Sequence, residues 1–294
     1  MPQTFPNPPA QASVFRRARA GKVDAPAPLA LWHLASLDAP SVAVAWSLAF
    51  AWAAAIRLPA WIPVLLALTA WAVYIADRLL DARSANPAAL RERHRFHHRH
   101  RHLLAPLAIA AAIAAVAIIF TLMPMAARER NSILAVAALA YFTRVHTPVA
   151  SRNATLLNKE FLVGLLFTAA CALPTFSRAV ALPHAPIRPL AAATVFFALL
   201  AWLNCHAIDR WEASEQDPSK PQILASACLL ALAGLLLASA FWSPQRRVAD
   251  LAAAGAVSAL LLALLDHLRN RLTPLALRAA ADLVLLTPLA LLLR

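Results

Sequence analysis

About nine apolar stretches, each roughly 20 residues long, run through this chain. They fall near residues 40–57, 60–80, 103–123, 131–148, 159–175, 189–208, 221–241, 247–266 and 274–293. That length carries an α-helix across a hydrocarbon core, and inside a bilayer only helices and closed barrels satisfy their own backbone. The stretches are continuously apolar rather than alternating, which points to helices. Pro59, Pro124, Pro148, Pro174, Pro189, Pro221 and Pro274 punctuate their boundaries. The expected fold is therefore all-α, an integral membrane bundle of about nine transmembrane helices.

Composition excludes the soluble alternative. The chain is 61% hydrophobic and only 14% charged, with mean hydropathy +0.63, more apolar surface than a soluble domain can hide. Four glycines leave no glycine-rich phosphate loop. Cys171, Cys205 and Cys228 lie in apolar runs without CxxC or zinc spacing, so they read as packing residues. Residues 1–27 are rich in Pro, Ala and Gln and carry Arg16, Arg17, Arg19 and Lys22. No apolar segment follows that cluster directly, so a cleaved signal is not expected. The tail reads as disordered and basic, ahead of a single transmembrane domain over 28–294. Within that domain Leu29–Leu37 is expected to lie along the interface. Asp38-Ala39-Pro40 then resembles an N-cap followed by an early-turn proline.

The net charge of +13 fits loops that face anionic lipid. With the N-terminus cytoplasmic, about 19 Lys and Arg fall on the cytoplasmic side and about 8 on the other. This orientation implies an inner, cytoplasmic membrane and an external C-terminus. It also places the two longest polar loops, near 81–102 and 209–220, on one cytoplasmic face. Arg91–His102 is dense in arginine and histidine. Its arginines would repel a metal, so it reads as an anchor to anionic headgroups that could also attract diphosphates. Nucleic acid is not expected as a partner, since Phe96 is the one aromatic in that run.

Both polar loops begin with acidic groups. Asp77-Arg78-Leu79-Leu80-Asp81-Ala82-Arg83 closes the second apolar stretch. Asp77 and Asp81, four apart, share a helix face and could share Mg²⁺, which favours one or two carboxylates, several waters and a phosphate. An ordinary helix-end pair neutralised by Arg78 and Arg83 would look the same. The second cluster, Asn204 to Glu212, continues to Glu215 and Asp217. There His206, Asp209 and Glu212 recur every three residues, though a solvated loop is also often acidic.

In these motifs the chain resembles the UbiA superfamily of intramembrane prenyltransferases. That family has nine helices, with aspartate-rich motifs after the second and the sixth. Asp77-Arg78-Leu79-Leu80-Asp81-Ala82, with Asn86-Pro87 beyond it, resembles the first motif of its chlorophyll-synthase-like members. Lys159-Glu160-Phe161 resembles the family's start of helix five, and Asp209, Glu212 and Asp217 follow the second motif more loosely. Val73 stands where the family has asparagine. Glu212 replaces an aspartate, the second motif's glycine is absent, and Asp217 comes one residue late.

The resemblance implies a Mg²⁺-dependent transfer of a polyprenyl group from its diphosphate to a lipophilic or aromatic acceptor, among membrane lipids. Asp77, Asp81, Asp209 and Glu212 would be the catalytic metal ligands, with Asp217 helping. Arg78, Lys159, Arg210 and Asn204 would bind the diphosphate. Trp71, Tyr74, Phe161, Phe167 and Trp202 could line the isoprenoid space, or simply pack. Arg278 and Asp282, four apart in the last stretch, read equally well as a mutually neutralising pair and are not placed in the site. Two alternatives stay open: a noncatalytic lipid-binding relative, and a transporter using intramembrane charge. A transporter should show broken helices and matching halves, and the sequence displays neither.

Overall fold

The structure, a computed structural model, describes residues 22–84, 92–146, 159–214 and 223–293. Every regular element among them is helical. In chain order they are α1 (Ala27–Leu34), α2 (Asp38–Ala53), α3 (Trp61–Ser84), α4 (Glu92–Arg99), α5 (Arg101–Leu122), α6 (Met125–His146), α7 (Lys159–Ala179), α8 (Ile187–Ser214), α9 (Leu224–Phe241), α10 (Arg246–Leu268), α11 (Pro274–Leu283) and α12 (Leu289–Leu292). Seven segments are long and apolar enough to cross a membrane, or eight if the bent α1–α2 pair counts as one span.

That is fewer than the nine expected among the described residues. The stretch at 131–148 lies in α6, whose early Arg128, Glu129 and Arg130 leave too short an apolar window. Pro174 also departs from its expected place. It sits inside α7, where it removes one ladder bond without ending the helix. Asp217, Pro148 and Pro221 lie outside the described residues, as do residues 1–21 of the expected tail. Val23, also assigned to that tail, is paired: its N–H donates to Arg271 O at 2.7 Å, and Thr273 N–H donates back to Val23 O at 3.0 Å.

α1 covers most of Leu29–Leu37, the segment expected to lie apart from the first span. α1 and α2 meet at 87°. The corner is a Schellman turn: Leu37 N–H reaches Trp32 O at 3.0 Å, Ser36 N–H reaches His33 O at 3.0 Å, and Ser36 takes φ 55°. Leu37 is then the N-cap of α2, with Asp38 in its first turn. Asp38 itself was expected to be the cap. The last span yields to a 3₁₀ turn at Val284–Leu286, and neighbours satisfy the carbonyls loosened there. Trp46 Nε1–H donates to Leu285 O at 2.8 Å, and Ser258 Oγ–H donates to Val284 O at 2.7 Å.

Packing between helices relies on small residues, because lipid supplies no hydrophobic drive for helices to associate. α9 buries Ala227, Ala231, Gly234 and Ala238 along one stripe against α10. Phe196 of α8 wedges between Gly234 and Gly255, where an added Cβ would stand 2.7 and 2.5 Å from its ring. Trp46 stacks on Phe197 with ring centroids 3.8 Å apart, and Phe50 packs edge-on to Phe197. This aromatic core joins α2 to α8 below the polar end of the bundle.

A buried carboxylate ties three helix ends together. Asp266, near the end of α10, is 1% exposed. It accepts from Trp211 Nε1 at 2.8 Å and from Leu224 N at 3.0 Å, and pairs with Arg269 at 3.3 Å. It thereby caps the start of α9 from another helix and holds the end of α8, which carries the second acidic cluster.

Candidate functional site

The helix ends gathered by these contacts surround a cavity of about 510 Å³. Asp77, Arg78 and Asp81 enter it from the last turns of α3, and Asn204, Asp209 and Glu212 from the end of α8. On both helices the residues recur at three- and four-residue steps, so one face of each projects inward. The two acidic clusters, read from opposite halves of the chain, thus line a single space. Asp209 is exposed, whereas Asp77, Asp81 and Glu212 are half-buried.

Not every candidate reaches the cavity. Arg210 lies outside its lining and donates from Nε to His206 at 3.3 Å. The side chain of Lys159 lies outside what the structure describes; Glu160, next to it at the start of α7, lines the cavity. Of the five aromatic candidates Tyr74 and Phe167 line the cavity. Trp71 instead donates its indole N–H to Ala35 O at 2.9 Å, and Trp202 stacks on His206. Phe161 is outside the cavity lining and 37% exposed.

The structure adds residues that the sequence reading left out. Arg278 and Asp282, set aside as a self-contained pair, both face the cavity. Arg278 forms an ion pair with Glu212, and Arg93 approaches the same carboxylate at 3.6 Å. Asp282 accepts from Asn204 Nδ2 at 3.1 Å and lies 3.4 Å from His33 Nδ1. His33 and Asp38, each 2% exposed, come from the two sides of the α1–α2 corner, with Nδ1 2.7 Å from Asp38 Oδ2. Arg78 stands 3.9 Å from the same Asp38 oxygen. An ionisable residue inside an apolar segment points to function by default, and that is the signal that could have found His33.

The basic run also folds differently from a plain anchor. α4 is amphipathic: His94 and His97 are buried and Arg93 is half-buried, while Arg95, His98 and Arg99 face out. His97 Nδ1–H donates to Arg93 O at 2.8 Å, so Nε2 is the acceptor facing Ser36 Oγ at 3.3 Å. This contact fastens α4 onto the α1–α2 corner. Burial, reinforced by the nearby Arg78 and Arg93 charges, holds the His97 imidazole down to about 4.

Three sets of charge therefore divide the cavity. Asp77, Asp81 and Asp209 are hard oxygen donors on its wall. Arg93 and Arg278 clasp Glu212. Asp38, His33 and Asp282 form a third group whose ligand atoms lie within 4.8 Å of one another. A metal with bonds near 2.1 Å would keep neighbouring donors about 3 Å apart or more; the 2.7 Å between His33 and Asp38 is hydrogen-bond spacing instead. The rest of the wall includes the apolar Val42, Val163, Phe167, Ala201 and Leu285. No family model, curated protein or solved structure matches the chain.

Proposed function

We infer that the protein is a Mg²⁺-dependent prenyltransferase of UbiA type, which moves a polyprenyl group from its diphosphate to a lipophilic acceptor within the membrane. The observation that carries this reading is the convergence of Asp77 and Asp81 with Asp209 on one cavity whose wall is in part charged and in part apolar. An allylic diphosphate has the same two-part character, a polyanionic head and an apolar tail.

The donor set suits Mg²⁺. Asp77, Asp81 and Asp209 offer carboxylate oxygens with access to water, as a cation that keeps part of its hydration shell requires. These three would hold it, and it would supply neutralisation of the charge that grows on the departing diphosphate. Glu212 suits that role less well, because Arg278 and Arg93 engage its carboxylate. Its contribution is to hold those two guanidiniums on the cavity wall that Arg78 also lines. There the arginines can grip diphosphate oxygens through charge-assisted hydrogen bonds. Val42, Val163 and Leu285 house the tail and exclude water from the allylic carbon. Tyr74 and Phe167 offer π faces to the positive charge that forms.

The reading orients the protein with its N-terminus and both acidic motifs on the cytoplasmic side of an inner membrane. The bent α1–α2 pair is what a transporter reading would draw on. Its break, however, is closed by the hydrogen bonds of a Schellman turn.

The test is diphosphate binding by purified Asp77→Ala and Asp81→Ala proteins. Both should insert and fold, with stability changed by about 1 kcal/mol or less, as at partly exposed positions outside the core. Mg²⁺-dependent thermal stabilisation by a prenyl diphosphate should vanish, and transfer should fall by about a hundredfold or more. If both variants bind a prenyl diphosphate with Mg²⁺ as tightly as the parent, the prenyltransferase reading fails.

A further inference from the structure

We propose a second binding site, for a phosphate monoester group, in a cavity of about 100 Å³ beside the Glu212–Arg278 ion pair. It goes beyond the prenyltransferase reading and does not depend on it.

Three parts of the chain build its wall: the end of α8, the α10–α11 connection with the start of α11, and the segment before α1. Lys22, Arg269 and Arg278 line it together with Glu212 and Asn270. A short parallel bridge brings Lys22 there. Val23 N–H donates to Arg271 O and Thr273 N–H donates to Val23 O, which fixes the backbone next to Lys22. Lys22, Arg269 and Asn270 do not line the larger cavity, whereas Glu212 and Arg278 line both. The ion pair therefore stands between the two spaces. Lys22 and Asn270 are exposed and Arg278 is buried, so the site runs from water to the pair.

Charge selects the ligand. Among the described residues on this wall, Lys22, Arg269 and Arg278 face one carboxylate, Glu212. Two further groups touch these: Asp266 pairs with Arg269 at 3.3 Å, and Arg93 approaches Glu212 at 3.6 Å. Four cations against two carboxylates leave two positive charges over. A phosphate monoester carries about −1.5 to −2 at neutral pH and balances them. The planar fork of a guanidinium also matches phosphate oxygens. The space holds about three waters or one phosphate group, with the rest of a larger molecule outside. Residues 1–21 add Arg16, Arg17 and Arg19 and contain no Asp or Glu, so the sequence next to Lys22 also draws anions to this end. Two sources offer the same chemistry: free phosphate in solution, and a monoester headgroup such as that of phosphatidic acid in the adjoining leaflet.

The experiment titrates inorganic phosphate into the purified full chain in neutral detergent at constant ionic strength, without Mg²⁺ or prenyl diphosphate, and reads binding by calorimetry. A second arm measures thermal stabilisation by phosphatidic acid doped into the micelles, against the diester phosphatidylglycerol at equal charge. The parent should respond to phosphate, to phosphatidic acid beyond phosphatidylglycerol, or to both. Lys22→Gln, which removes a cation, and Asn270→Asp, which adds a carboxylate at constant volume, should each weaken the response about tenfold or more. Both side chains are exposed, so melting without phosphate should stay as in the parent. Arg57→Gln, in the exposed turn at the other end of α2, should leave the response unchanged.

A response to phosphate alone assigns a soluble anion, to phosphatidic acid alone a lipid headgroup, and to both the shared group. Three results overturn the site: no response to either probe, an equal response to phosphatidylglycerol, or a response that Lys22→Gln or Asn270→Asp leaves as it was. A loss in Arg57→Gln equal to theirs overturns it too, as general surface charge. Because no Mg²⁺ or prenyl diphosphate enters the measurement, none of these results bears on the prenyltransferase reading.

Discussion

A neutral, buried histidine makes stability depend on pH in a known direction. His97 is held down to about 4 in the folded protein, against about 6.5 in an unfolded chain. The unfolded state therefore binds more protons as the pH falls, so the folded state is favoured above about pH 6.5 and loses that advantage on the way down to 4. Over that window the parent should lose up to about 3 kcal/mol from this residue. Thermal melts in detergent from pH 7.5 to 4 should show this, and His97→Gln should flatten the curve. An unchanged slope in His97→Gln would move the acid sensitivity to another group. The sequence displayed His97 only as one of several histidines in a basic run. What singles it out is the Ser36 hydroxyl 3.3 Å away, a contact across 61 positions that no local pattern encodes. The α3 motif is the opposite case, because Asp77 and Asp81 meet through helical spacing alone.

At the level of single elements, two turns show where local sequence rules were silent. Ser36 and Ala55 both take the left-handed conformation, and neither is the glycine or asparagine that usually announces it. The sequence set Leu29–Leu37 apart from the helix that starts near Asp38, but it did not announce the turn at Ser36 that joins them at 87° and brings His33 to Asp38. At the far end of α2, Ile56 N–H reaches Ala51 O at 2.8 Å and Ala55 N–H reaches Trp52 O at 3.1 Å, another Schellman turn. Ala55 is exposed, so Ala55→Gly relieves the left-handed cost without a cavity. It should stabilise the protein by about 0.5–1 kcal/mol. A lower melting temperature in this variant would contradict the turn. α4 supplies a second element-scale test. Arg95→Gln with Arg99→Gln alters only its outward face, so binding to anionic vesicles should weaken while prenyl diphosphate binding holds. Arg93→Gln, which loses a partner of Glu212, should weaken diphosphate binding about tenfold or more. If the two variants behave alike, α4 does not have two distinct faces.

For the molecule as a whole, helical class and most boundaries were legible, because apolar length and proline position are local properties. The count of nine goes beyond this: among the described residues seven segments, or eight with the bent α1–α2 pair, meet the length and composition of a span. The charge pattern together with the pairing of Val23 at Arg271 and Thr273 places the start of the described chain at the cavity end. The proposed orientation, with an odd number of spans, puts reporter fusions at residue 22 and at Arg294 on opposite sides, cytoplasmic and external respectively. Two fusions on the same side would overturn this topology. The span of positions that meet at the cavity also bears on how the protein is made. Trp46 bonds to Leu285 across 239 positions, and Glu212 and His33 meet Arg278 and Asp282 from the last long helix. During synthesis the acidic motifs of α3 and α8 enter the bilayer before those partners have left the ribosome. A nascent chain at that stage has carboxylates but lacks the Arg278 cation and the second carboxylate beside His33. The charge set that lines the cavity is therefore complete only once α11 has joined the bundle.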